Sequence, residues 1–78
     1  MKVVFYTLNS PEEKRCPKCA RIESLLKSKN INFELCYDIE TVCKVGAEHN
    51  IDFAPILMVD DNFYGYKDTI KWINEYMG

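Results

Sequence analysis

A strand that is apolar on both sides must be covered on both sides, and residues 2–7 read KVVFYT. The run is continuous, β-branched and aromatic, without the alternation of a strand that keeps one wet face. In a chain of 78 residues it calls for a sheet with helices packed on either side. So short a chain buries a modest share of its surface, and its layers have to be used efficiently. The apolar content of 47% and aromatic content of 13%, with three glycines and three prolines, supplies a core and argues against disorder.

The remaining segments fit that demand. LNSPEEKR (8–15) is polar, contains Pro11 and reads as a loop. From Pro17 to about Lys29 the apolar residues Cys19, Ile22, Leu25 and Leu26 have helical spacing. Pro17 suits the first helical turn, where its missing N–H is no loss, and Asn30 ends the helix. INFELCY (31–37) alternates, with Ile31, Phe33, Leu35 and Tyr37 on one side, as a strand does. Asp38 caps a second helix with a stripe of Ile39, Val42, Cys43, Gly46 and Ala47, in which Gly46 is a weak point. APILMVDDNFYGY (54–66) is a hairpin about Asp60-Asp61-Asn62. Lys67 to Met77 is an amphipathic helix with Ile70, Ile73 and Met77 in register.

The predicted order is β-α-β-α-β-β-α. Two strands joined through a helix form a parallel, right-handed unit, and the hairpin adds an antiparallel edge. The expectation is one domain over 1–78: a three-layer α/β sandwich with a four-stranded mixed sheet and helices on both faces. The chain has no repeat, linker or low-complexity segment.

Charge is unevenly spread although the net value is only −2. Lys14, Arg15, Lys18, Arg21, Lys27 and Lys29 stand against the single acid Glu23, and acids dominate from Glu34 to Asp68. The basic stretch coincides with a cysteine pair. Two solvated faces would produce this pattern, and so would a positive field that favours thiolate and attracts acidic partners. No basic stripe with interleaved aromatics is present, which argues against nucleic acid. No apolar run has membrane-spanning length, and the first residues lack a small-residue cleavage site. A cytoplasmic chain is expected, where two cysteines three apart are redox or metal residues more often than a structural staple.

That pair is Cys16 and Cys19, in CPKC (16–19). A thiol attacks a disulfide only as thiolate. Cys16 stands where a loop becomes a helix, and unpaired amides and the positive helix end favour a negative sulfur there. Lys14, Arg15 and Lys18 are close in sequence and add charge of the same sign. Cys19 is one turn further on, in line with Ile22 and Leu26, so its sulfur faces the core while remaining on the same side as Cys16. This asymmetry suits a two-step exchange: exposed Cys16 attacks, and sheltered Cys19 resolves the mixed disulfide. Pro17 and Lys18, between them, tune the redox balance. A zinc-binding interaction module using all four cysteines is the rival. Structural zinc sites usually repeat the close pair, whereas Cys36 and Cys43 are separated by six residues. Those two are expected to be small buried hydrophobes, and His49 an exposed helix-end residue. Trp72 and the tyrosines are assigned to core or rim. A second rival is a non-catalytic binding domain with a vestigial CPKC. No flavin or nicotinamide motif occurs, so a redox chain of this kind is a carrier within a relay.

Over essentially its whole length the chain resembles a glutaredoxin, within the thioredoxin-fold superfamily. CPKC after a first strand is similar to the family's C-P-x-C. FAP (53–55) before the hairpin resembles its T-V-P, which implies a cis Pro55 beside the cysteines and an Ala54 backbone that pairs with an extended substrate segment. YGYKD (64–68) is similar to G-G-x-D, which implies that Asp68 caps the last helix and that Gly65, Tyr66 and Asp68 border a glutathione site. Tyr66 stands where the family's second glycine stands, which implies weak glutathione use. The same segment is similar to the G-F-x-x-D region of the small glutaredoxin-like redoxins that serve ribonucleotide reductase and are reduced by thioredoxin reductase, but is one residue shorter. The loop LNSPEEKR is longer than the family's. The resemblance implies a monomeric electron carrier that binds no cofactor. Its partners would be a disulfide-containing protein such as ribonucleotide reductase and either glutathione or thioredoxin reductase as electron source. Tyr6, near the end of the first strand, is expected to line the groove with Tyr66.

Overall fold

The computed structural model describes residues 1–51 and 54–76. Among them, the elements follow in the order β1 (Val3–Tyr6), α1 (Pro17–Ser28), β2 (Glu34–Cys36), α2 (Ile39–Glu48), β3 (Ile56–Val59), β4 (Asn62–Tyr64) and α3 (Tyr66–Glu75). They form an α/β fold around a four-stranded mixed sheet of order β2-β1-β3-β4. β1 and β2 are parallel, while β3 runs antiparallel to both β1 and β4.

Register sorts the side chains between the two faces. Val3 and Phe5 lie opposite Val59 and Leu57 and pack with Cys19, Ile22 and Leu26 of α1 and Ile73 of α3. Val4 and Tyr6 lie opposite Met58 and Ile56 on the other face. There Val42 of α2 is buried and Gly46 comes close to Ile56. Helices therefore cover both faces, as the double-sided apolar run of β1 requires. Phe5, 0% exposed, meets Phe33 edge to face at 5.8 Å.

The helix ends follow from local chemistry. Asp38 accepts the Thr41 N–H at 3.2 Å and caps α2. Both α1 and α2 close through an asparagine in the left-handed region, Asn30 and Asn50, each at φ 56°. The next residue, Ile31 or Ile51, donates its N–H back into the last turn, to the Leu26 carbonyl at 3.0 Å and the Gly46 carbonyl at 2.9 Å. The hairpin turn uses Asp60 and Asp61, at φ 47° and 71°, a pairing that matches the twist of the strands.

Some boundaries differ from expectation. The second strand covers 34–36 rather than 31–37, because only those residues meet partners on β1; Ile31 instead completes the cap of α1, and Tyr37 is 49% exposed. The apolar stripe of α2 is narrower than its sequence suggests, since burial runs through Val42 and Gly46 while Ile39 is 60% exposed. α3 starts one residue early, at Tyr66, and the expected end at Met77 lies outside the described residues. No helix among the described residues is long and apolar enough to cross a membrane.

Candidate functional site

The topology gathers several chain ends at one end of the sheet. β1 and β4 stop there, at Tyr6 and Tyr64, while β3 starts there at Ile56, opposite Tyr6. Pro55 directly precedes Ile56, and Thr7 directly follows Tyr6. The Ala54–Pro55 peptide bond is cis; Phe53, the first residue of the FAP segment, lies outside the described residues. α1 and α3 begin at this end as well, and they pack against each other.

Cys16 is the N-cap of α1, with φ −107° and ψ 111°, and its Sγ accepts the Cys19 N–H at 3.4 Å. The sulfur thus occupies the position that a serine or aspartate oxygen usually takes. Pro17 follows at the first helical position and has no N–H to satisfy. Cys16 is half-buried, Cys19 is 0% exposed, and both thiols are free. Burial pushes the Cys19 thiol up, and the neighbouring Cys16 sulfur adds to the rise; the Thr7 hydroxyl and the Leu8 N–H oppose it. Cys19 is therefore kept as a neutral thiol beside the half-buried Cys16.

Three contributors to this arrangement escaped the sequence reading. Thr7 and Leu8 oppose the rise that burial imposes on the Cys19 thiol, and Asn9 is bonded to the backbone of Cys16. All three sit where β1 runs out into a segment with no periodicity to single them out. The available signal was Asn9 itself, a turn former just past a strand and before Ser10-Pro11.

The other expected site residues divide into two groups. Lys18 stands over the Tyr66 ring, its Nζ 5.3 Å from the centroid, and so ties the start of α1 to the start of α3. Asp68 belongs to the first turn of α3 but is not its cap: the cap position falls to Gly65, because the helix already begins at Tyr66. Gly65 has φ −78°, and a Cβ there would meet only Ile51 Cγ2, at 3.6 Å, so neither conformation nor space demands a glycine. Tyr6 is not brought to Tyr66. Its side chain lies on the α2 face, stacked on Phe63 at 6.4 Å, and burial followed by the nearby Cys36 and Glu34 pushes its hydroxyl up.

Charge around the pair is largely compensated. Arg15 bonds Glu13 at 2.7 Å, and Lys14 bonds Glu23 at 3.0 Å, so two of the three bases expected to support Cys16 are engaged elsewhere. Lys27 adds a second bond to Glu23 at 3.3 Å. Burial pushes the Glu23 carboxyl up, but the hydrogen bonds and charges of Lys14 and Lys27 outweigh it and leave the group below its ordinary value of 4.5. A carboxyl depressed in this way stabilises the fold above its unfolded value, and that contribution fades as pH falls. Glu23→Gln is expected to cost about 0.5–1 kcal/mol at pH 7, since both lysines are solvent-exposed. Urea midpoints of the two proteins should converge as pH falls below the carboxyl's ordinary value of 4.5; a gap that persists in acid would place the loss in packing instead of charge.

Cys36 and Cys43 correct the expectation of two buried hydrophobes. Cys36 is half-buried on edge strand β2, and Cys43 is exposed, off the narrow line of contact that α2 makes through Val42 and Gly46. Among the described residues, no three His, Cys, Asp or Glu side chains gather as a metal site would require. His49 is exposed at the end of α2 and stacks on Phe63 at 3.7 Å. An open groove lined by Leu8, Val42, Cys43, Gly46, Ile51 and Ala54 runs from the cysteine end along α2.

Comparison of the chain with family models, with curated proteins and with solved structures finds no match.

Proposed function

We propose that the chain is a small dithiol–disulfide oxidoreductase of glutaredoxin type on a thioredoxin-like fold. The observation that carries this reading is the Cys16–Cys19 arrangement. A half-buried cysteine caps a helix through its sulfur, which accepts the amide of its partner, and that partner lies fully buried one turn on. The fold class, and the place of Ala54 and Pro55 directly before β3 at the end of the sheet where α1 begins, support the same reading.

In the reductive cycle the Cys16 thiolate attacks one sulfur of a substrate disulfide. A bond forms between Cys16 and that sulfur, and the other leaves as thiolate with the electron pair. Cys19 then loses its proton and attacks Cys16 Sγ, which expels the second substrate thiolate and closes the 16–19 bond. Two electrons pass to the substrate, and two protons end on its thiols. A dithiol equivalent from glutathione or from a flavoprotein reductase resets the pair. The substrate is a disulfide-bearing protein, ribonucleotide reductase being one of the right kind, and the chain works as a monomer in the cytoplasm. Tyr66, held by Lys18, narrows the space beside the start of α3, which favours the reductase route over glutathione.

The test supplies the oxidised protein with glutathione and glutathione reductase, and separately with thioredoxin reductase, and follows NADPH. The flavoprotein reductase arm is expected to turn over faster. Absence of turnover in both arms, with no 16–19 bond formed on oxidation, would remove the redox assignment.

A further inference from the structure

Asn9 is 1% exposed, and both polar atoms of its side chain are bonded to a single residue. The Cys16 N–H donates to Asn9 Oδ1 at 2.6 Å, and Asn9 Nδ2 donates to the Cys16 carbonyl at 2.9 Å. The Asn9 N–H in turn donates to Thr7 Oγ1 at 3.0 Å, at the end of β1. The carboxamide thus pairs with Cys16 as one strand residue pairs with another, and it satisfies a buried polar side chain that would otherwise be costly. The Cys16 carbonyl also accepts the Ala20 N–H at 3.0 Å, the first bond of α1. Between the two ends of this clasp, residues 11–15 are exposed. That outer segment is held by its own contacts and by one ion pair to α1: Ser10 and Glu13 exchange backbone bonds of 3.0 and 3.3 Å, Arg15 pairs with Glu13, and Lys14 reaches Glu23 at 3.0 Å.

We infer that Asn9 is a positioning residue for the dithiol exchange: it fastens the backbone of Cys16 to the end of β1, so that the sulfur stays above Cys19 independently of the outer loop. The inference rests on the dithiol reading above and adds to it a residue outside the CPKC segment. Its physical content concerns the second step. Ring closure is unimolecular, and its rate depends on how often the two sulfurs meet in line. Cys19 is fixed in the core; Cys16 is fixed only as well as its backbone is. Without the carboxamide, the Cys16 peptide groups turn to water, and motion of the long loop reaches the nucleophile directly.

The step is measured with an aryl disulfide reagent in a Cys36→Ser/Cys43→Ser background. Cys16 thiolate attacks the reagent, forms a mixed disulfide and releases one aryl thiolate. Cys19 then gives its proton to solvent, attacks Cys16 Sγ and expels the second aryl thiolate, whose absorbance reports closure at a rate independent of reagent concentration. Asn9→Ala is expected to slow this second phase about tenfold. Asn9→Asp keeps the size and the acceptor for the Cys16 N–H, but turns a carboxylate oxygen against the Cys16 carbonyl; it should slow closure about threefold or more. Pro11→Gly with Glu12→Gly, in the outer loop, should stay within about twofold of the parent while Asn9 is present. A residue with a merely structural role would lower the melting temperature and leave the closure rate, read well below it, unchanged. Should Asn9→Ala fail to fold, Asn9→Asp decides. Closure within about twofold of the parent in every folded Asn9 variant overturns the inference. Release of the first aryl thiolate without the second in the parent protein overturns the dithiol reading itself, a distinguishable result.

Discussion

Cys16→Ser is expected to reduce disulfide turnover to background, a fall on the order of a thousandfold or more. The reason lies in what position 16 presents to solvent. Its sulfur takes the N-cap place of α1 and accepts the Cys19 N–H at 3.4 Å. A serine hydroxyl would cap the same helix well, so fold and stability should survive the change. What it lacks is a sulfur, the atom that attacks a disulfide. Cys19→Ser should behave differently. The amide that bonds the Cys16 sulfur belongs to the main chain and remains, so the first attack proceeds. The thiol that would close the ring is gone, and the protein should accumulate a mixed disulfide with its substrate, visible as added mass at Cys16. Cys43→Ser is the control for this experiment because Cys43 is a free, exposed thiol within reach of the same reagents. It is expected to leave turnover unchanged. Retention of more than about a tenth of the parent activity by Cys16→Ser would show that another group is the nucleophile.

The parts of the fold that were legible are those whose local chemistry and tertiary role agree. Helix α1 begins and ends where Pro17 and Asn30 place it, because a missing N–H and a left-handed φ are properties of single residues that no distant contact needs to supply. The double-sided burial of β1 was visible in KVVFYT for a similar reason: a run without alternation has no wet face. Strand β2 was overdrawn because alternation continues from Ile31 to Tyr37, whereas pairing depends on how far β1 reaches alongside. The asymmetry of the cysteines was legible from helical spacing alone. Their surroundings were not. Asn9 and Thr7 act through the chance that β1 ends beside the start of α1; Asn9 marks a turn there, but nothing in the sequence marks its carboxamide or the Thr7 hydroxyl as buried. Charge misled in the same way: Lys14 and Arg15 stand close to Cys16 in sequence, yet their bonds go to Glu23 and Glu13.

Gly46→Ala is where propensity and packing disagree about sign. Helix propensity by itself assigns the change a gain of up to about 1 kcal/mol, since alanine is the better residue inside α2. Space decides otherwise. A Cβ on Gly46 would stand 2.6 Å from the Ile51 carbonyl oxygen and 3.5 Å from Ile56 Cδ1. The first contact is with backbone, and that backbone is held: the Ile51 N–H donates to the Gly46 carbonyl at 2.9 Å, after Asn50 has turned the chain at φ 56°. Relief requires opening the cap of α2 or lifting the helix from Ile56 of β3. The expected outcome is a loss of about 1–3 kcal/mol, the usual range for an overfilled core. A chain of this length has a total stability of roughly 4–12 kcal/mol, so the melting temperature should fall by about 5–20 °C. Lys44→Gly, on the exposed side of the same helix, isolates the propensity effect and should cost about 1 kcal/mol. Ile51 also stands three residues before Ala54, so a shift forced at Gly46 travels toward the cysteine end, and the variant should lose turnover along with stability. A midpoint that stays level or rises in Gly46→Ala would mean that the turn from Asn50 to Ile51 yields without cost, and that propensity alone governs this helix.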